Sequence, residues 1–361
     1  IGAGILGLPY VISKSGFLVG LAHILLIGAV IMIVNLYLGE ITLRTKKNHQ
    51  LCGYAEKYLG SFGRKLMAIA MMGGIYGAMI AYMIGVGDAL NSIFPSVSAF
   101  VFSLCFFAAV ALIVYIGLKA VEESELFMSA VVVLLALIII AVSVLSSRFS
   151  ISNLATINYS NFFLPFGVVL FAFLGMTAVP EMREEIGKQT KKLKKAIIIG
   201  GIVPLVIYAL FAFAVIGISG GSVGEVATLH LGQTLGRGIG IFANLFAVFA
   251  MSTAFLALGL ALKEMYCYDY CISKTRAWII TCLVPLLAFL LGIRGFIAVL
   301  GIVGVFSGGI QGILIALMHR NAKKKGDRKP EYSLHDSKAL SYAIIAIFAI
   351  GIACELFLSL R

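Results

Sequence analysis

An apolar stretch long enough to cross a bilayer, but broken in its middle, constrains this chain more than any other feature. Residues 162–182 contain Phe171, Ala172, Phe173, Leu174, Gly175, Met176, Thr177, Ala178, Val179 and Pro180 in succession. A span needs roughly 20 apolar residues and has no use for a central glycine followed by a proline. Gly175 is a weak helix former. Pro180 has no N–H, so the Met176 carbonyl four residues earlier is expected to lose its helical partner. The start of the chain repeats the device: Gly4 precedes Pro9 as Gly175 precedes Pro180, both Gly-x-x-x-x-Pro, and Pro9 frees the Ile5 carbonyl. Free backbone groups at membrane depth persist only where protein, water or a ligand satisfies them. Paired breaks in two halves of a chain point to a transporter's binding site. The competing reading is that glycine and proline serve helix packing.

Composition agrees with a membrane protein. The chain is 61% hydrophobic and 12% charged, with mean hydropathy +1.06, against roughly a quarter charged residues in a soluble domain. The net charge of +12 does not imply nucleic acid, because the basic residues fall in short segments between apolar spans. The six cysteines form no zinc spacing. No His-Glu-x-x-His, serine elbow or paired aspartates occurs within the spans, so an intramembrane enzyme is disfavoured.

Eleven spans are expected, at 1–13, 17–43, 65–94, 98–118, 126–145, 162–182, 196–218, 239–265, 277–292, 296–318 and 339–360. The chain begins at Ile1, close to the first break, so a preceding half-helix is expected to be missing and the N-terminus truncated. With this count, all but five of the 28 Lys and Arg (Lys14, Arg148, Arg237, Arg294 and Arg361) lie on one side, which the positive-inside rule makes cytoplasmic. The fold class is then an all-α polytopic membrane protein in one transporter domain. The second broken helix comes five spans after the first, an odd step, which relates residues 1–146 and 162–318 as a five-plus-five inverted repeat, with 339–360 an extra helix.

Three stretches carry a resemblance: Ile1 to Tyr10 at the start, Ala81 to Asp88 in the third span, and Phe171 to Glu181 in the sixth. They resemble the amino acid/auxin permease family of the amino acid–polyamine–organocation superfamily. The resemblance implies a LeuT-type fold, broken first and sixth helices, and secondary transport of amino acids across the plasma membrane. The backbone at the breaks suits that substrate. N–H groups at Ala3, Gly4 and Ile5 open a half-helix and attract a carboxylate. Carbonyls of Phe171, Ala172 and Leu174 close another and suit an ammonium. The candidate binding residues are Gly2, Ala3, Gly4, Ile5, Tyr82, Phe171, Ala172, Phe173, Leu174, Gly175 and Met176, the aromatic and methionine side chains facing a neutral side group. Core packing is the alternative for each of those side chains.

No bound cofactor is expected, but a coupling ion is. The resemblance implies a sodium site on Ser252 and Thr253 of the eighth span with a carbonyl of the first, Ile1 being one candidate. Bonding of the two hydroxyls to the preceding helical turn is the alternative. The alternative is a proton-coupled amino acid or amine carrier, working through a carboxylate or His23, although residues 126–145 hold no lysine of the sort some relatives use. A nutrient sensor on a transporter fold would share every one of these features. Glu40, Glu181, Glu184 and Glu185 sit at inner span ends, where ion pairs with the basic segments are expected.

Overall fold

The computed structural model describes residues 2–293, 295–335 and 337–359. Ile1, Arg294 and Arg361, named above, lie outside them, as does the side chain of Lys119. The described residues form helices and connecting turns, with no strand. In order the α-helices are α1 (Gly4–Ser15), α2 (Phe17–Arg44), α3 (Leu51–Ile93), α4 (Ala99–Ile116), α5 (Leu118–Leu145), α6 (Leu164–Ala172) and α7 (Ala178–Glu185). They continue as α8 (Leu193–Ser219), α9 (Ala227–Leu235), α10 (Arg237–Tyr268), α11 (Lys274–Leu290), α12 (Phe296–Ile302), α13 (Gly309–Lys325) and α14 (Lys338–Ser359).

Among the described residues eight helices are long and apolar enough to cross a membrane. The remaining three expected spans correspond to α1, to the broken pair α6 and α7, and to α11. α3 and α10 pack along each other at the centre and are mostly buried. α4, α5, α8 and α14 lie outside them and leave residues such as Leu112, Leu134, Ile202 and Ile350 exposed, as a lipid-facing surface requires. Small residues set the closest approaches. A Cβ on Gly304 would lie 2.0 Å from the Gly167 carbonyl oxygen, so only glycine lets that stretch meet α6.

Two expected boundaries move. The third span was expected to begin at residue 65, but its helix begins at Leu51. Gly60, with φ +77°, takes the backbone out of helical geometry, so the helix bends there. The Leu51–Tyr58 stretch before the bend buries Leu51, Tyr54 and Tyr58 under the basic end of the bundle, which made it read as a loop. The tenth span is one continuous helix from Phe296 to Lys325, but Val303–Gly308 is wound as a π-helix between α12 and α13.

Candidate functional site

The sixth segment is broken where glycine and proline place the break. α6 ends at Ala172, Phe173–Thr177 is not α-helical, and α7 resumes at Ala178. The Met176 carbonyl does not stay free as expected. The Val179 N–H, one residue before Pro180, donates to it at 3.3 Å in a tightened turn. The Ala172 carbonyl accepts the Tyr208 hydroxyl of α8 at 2.8 Å. At the other break α1 starts at Gly4 with no side-chain cap on its N-terminus. Leu6 N–H bonds to the Ala3 carbonyl at 3.0 Å, and Ile5 N–H to that of Gly2 at 3.4 Å.

The two breaks meet. A Cβ on Gly4 would lie 2.4 Å from the Ala172 Cα, so the start of α1 rests directly on the end of α6. A Cβ on Gly2 would lie 2.9 Å from the Ala254 Cβ on α10, and 3.4 Å from the Tyr82 hydroxyl. Beside this junction is a cavity of about 400 Å³. Of the sequence candidates, Gly2, Gly4, Tyr82, Phe171, Ala172, Leu174, Gly175 and Thr253 line it. Met176 lines a narrower recess that shares Tyr82 and Phe171 with the cavity. The Tyr82 and Phe171 rings meet edge to face at 6.5 Å. Phe173 turns the other way, 5.2 Å from the Tyr208 ring, and Ala3 and Ile5 are fully buried in the core.

From the breaks the cavity runs toward the basic end of the bundle. Its walls there are Ser129 and Val132 near the middle of α5, Gly200 and Val203 in the first half of α8, and Ala257 in the second half of α10. Toward the opposite end neighbouring segments are tied together. Gly217 carbonyl accepts from Ser150 N–H at 2.9 Å and from Asn153 Nδ2 at 2.8 Å, and the Phe149 and Phe213 rings are 5.2 Å apart. His23 sits near that end with Nδ1 donating to the Val19 carbonyl at 2.8 Å and its ring 5.2 Å from Phe162.

Both hydroxyls of the expected ion site are buried. Ser252 Oγ donates to the Val248 carbonyl at 2.6 Å, and Thr253 Oγ1 to that of Ala250 at 3.0 Å. Each keeps oxygen lone pairs for another partner.

The basic end carries the charge pairing expected of Glu40, in denser form. Its fully buried carboxylate accepts from Arg44 at 2.8 Å, His319 Nε2 at 3.0 Å, Ser333 Oγ at 3.0 Å and Leu334 N–H at 2.7 Å. These contacts strap the connection between α13 and α14 across the end of α2. Asp327 extends the strap: its hydrogen bonds to Lys57 and to the Lys46 N–H hold its carboxyl below the usual carboxylate range. At Glu331 burial opposes ionisation, but hydrogen bonds from Thr190 and Arg328 win and lower its pKa. Burial pushes the Asp269 carboxyl, just beyond α10, up to about 6 despite a Gly53 N–H bond. Glu40 carries a sequence signal as an acid at a span end, but its partners on α13 and beyond do not.

Sequence reasoning also passed over Tyr208, Thr177, Ser307 and Gln311. The last three border the recess, and Tyr208 binds the break. A hydroxyl or amide inside an otherwise apolar span was the available signal.

Many lipid-facing helices around a buried, polar-edged cavity define an integral, multi-pass membrane protein. The chain belongs to the tryptophan/tyrosine permease family, which it matches over residues 1–356. It is therefore a transporter, and the expectation of a permease holds at that level. Glutamine transporter 2 of Aliivibrio fischeri is 23% identical over 352 residues, 93% of this chain and 89% of that protein. The tryptophan-specific transport protein of Shigella flexneri is 23% identical over 377 residues, 97% of this chain and 90% of that protein. A tryptophan-specific transport protein of Pseudomonas aeruginosa is 23% identical over 356 residues, 90% of this chain and 84% of that protein.

Proposed function

We propose that this chain is a secondary active carrier of neutral amino acids, working by alternating access across the plasma membrane. The observation that carries the reading is the meeting of two opposed helix ends at one cavity. The uncapped N-terminus of α1 at Gly4 offers positive potential, and the C-terminal end of α6 at Ala172 offers carbonyl oxygen. A zwitterion with both charges on one carbon suits the cavity beside their junction, with no charged side chain to help. Neutral specificity is supported by the lining, in which Tyr82, Phe171, Leu174 and Met176 present no opposing charge to an ionised side group. The glutamine and tryptophan of the relatives' names are both neutral.

The architecture goes with this reading. Residues 1–146 and 162–318 form a LeuT-type inverted repeat, 339–360 lies outside it, and the chain sits in the amino acid–polyamine–organocation superfamily beside the auxin permeases. With the basic end cytoplasmic, the cavity is open to the inside and the form described is inward-facing.

Sodium is the coupling ion we favour. Ser252 and Thr253 lie next to Ala254, which the first break touches through Gly2, and neutral oxygens suit a hard cation. Proton coupling has its own support, since both hydroxyls already bond their own helix. Uptake of labelled amino acids into proteoliposomes tests all of this at once. Sodium-driven accumulation of neutral amino acids is the expected result. Uptake unchanged in choline but steep in pH would replace sodium by protons. Binding without flux would make the protein a sensor, and no amino acid binding at all would overturn the site.

A further inference from the structure

The recess beside the main cavity is lined mostly by apolar side chains, with Tyr82 and Thr177 on the side it shares with the cavity and a polar edge where the π-helical stretch Val303–Gly308 runs into α13. That edge carries Ser307 and Gln311, both at least 95% buried at membrane depth. π-Turns within α-helices gather at functional sites because they cost hydrogen-bond geometry. This one brings Ser307 against α3 so closely that a Cβ on Gly74 would lie 2.0 Å from its Oγ. Gly74 therefore leaves room for the hydroxyl and also fixes its position. Gln311 Nε2 donates to Ser307 Oγ at 2.7 Å. The other end of the Gln311 amide has no partner among the described residues, and the residue borders the recess.

The Gln311 amide oxygen is not among the fully enclosed unpaired atoms, so at the edge of the recess it is open to accept from a donor placed there. The recess is continuous with the proposed binding cavity through shared walls at Tyr82, Phe171, Gly175 and Thr177. Tyr82 and Phe171, whose rings meet edge to face at 6.5 Å, border both spaces, so a side group reaching from the breaks toward Gln311 has to move past them. We propose that Ser307 and Gln311 are the specificity pair of the carrier, reading a neutral hydrogen-bonding group on the substrate's side chain. The chemical class is a carboxamide or a ring N–H or O–H, and a purely aliphatic side chain of equal size leaves the amide unmet. This rests on the amino acid site proposed above and names which neutral amino acids that site prefers.

The test is competition binding on the full chain reconstituted in liposomes, using pairs that differ in one hydrogen-bonding group. Glutamine is set against methionine, and tryptophan against its 1-methyl derivative. The unaltered protein is expected to prefer the hydrogen-bonding member of at least one pair by about tenfold. Gln311→Met keeps length and flexibility and removes the amide, and should bring that ratio to within about threefold while the apolar member still binds. Ser307→Ala, which removes one oxygen from the same contact, should move the ratio the same way by about threefold, and serves if Gln311→Met does not assemble. Amino acid binding with an unchanged ratio in both variants overturns the specificity pair alone. No amino acid binding by the unaltered protein overturns the site reading, and this inference with it.

Discussion

The two breaks share the pattern Gly-x-x-x-x-Pro, yet their glycines do different things. Gly4 is buried and has no room: a Cβ there would run into the Ala172 backbone at 2.4 Å. Gly175 is half-exposed to the cavity, and the nearest atom to its Cβ position is the Phe173 carbonyl oxygen at 3.9 Å. The first glycine permits a helix-to-helix contact, and the second keeps a wall of the cavity low. A break in sequence thus marks two separate physical needs, close packing and ligand access. In an alternating-access cycle the first break, clamped to α6 and α10, would move with its neighbours, whereas the sixth has freedom at Gly175 to follow the substrate.

Leucine at each glycine separates the two needs. Gly4→Leu forces a side chain into backbone, and we expect a loss of about 3 kcal/mol or more in stability, enough to prevent assembly. Size-exclusion profiles in mild detergent should show little monodisperse protein. Gly175→Leu enters open space at a φ that L-residues tolerate, so the same profile should be normal. Its effect falls on substrate, displacing one or two charge-assisted backbone contacts, with binding weakened by roughly a hundredfold. The reverse pattern, a well-folded Gly4→Leu with weak binding, would put the cavity on the wrong side of Gly4.

A subtler contrast concerns the ion. Thr253 lines the cavity beside the clamped break, and Ser252→Ala with Thr253→Val removes both oxygens at small change in volume, so the cavity's shape should be kept. This double variant is expected to fold, and to bind at saturating sodium nearly as before. The sodium concentration needed for half-maximal binding should rise about tenfold. Linkage requires that whatever factor sodium still adds to substrate affinity, substrate adds to sodium affinity. A variant with unaltered sodium dependence would return both hydroxyls to packing.

Spans and breaks were legible because their causes are local. Hydropathy over some twenty residues and the missing N–H of Pro180 need no knowledge of the fold. Phe171 was found by its place at a break, and Tyr82 by the family resemblance of the third span. What escaped depends on contacts between distant stretches. The Ser307 hydroxyl is positioned by Gly74 on another helix, Glu40 by residues on α13 and beyond it, and the stretch before the Gly60 bend is held by burial of Tyr54 and Tyr58. Phe173 was expected in the pocket because its neighbours are there. In a helical turn adjacent side chains point about 100° apart, and the last turn of α6 sends this one to Tyr208. The sequence period could not say which of the three aromatic and aliphatic side chains in Phe171–Leu174 would face inward until α8 was placed.

The smallest effect we expect lies where the two breaks touch. Ala172 is the residue on which Gly4 rests, and its carbonyl is also the last of α6, held by Tyr208 at 2.8 Å. That hydrogen bond satisfies a helix-end acceptor while no substrate is bound. Tyr208→Phe keeps the ring that packs on Phe173 and removes only the hydroxyl. The cost in stability should be about 1 kcal/mol, seen as a melting temperature lower by a few degrees. If the substrate's ammonium uses the same carbonyl, bound amino acid replaces part of what was lost. The melting temperature gained on adding saturating substrate should then be larger in Tyr208→Phe than in the unaltered protein. An equal gain in both would mean that Ala172 belongs to the clamp alone, and that the ammonium is met by the carbonyls of Phe171 or Leu174 on the open side of the sixth break.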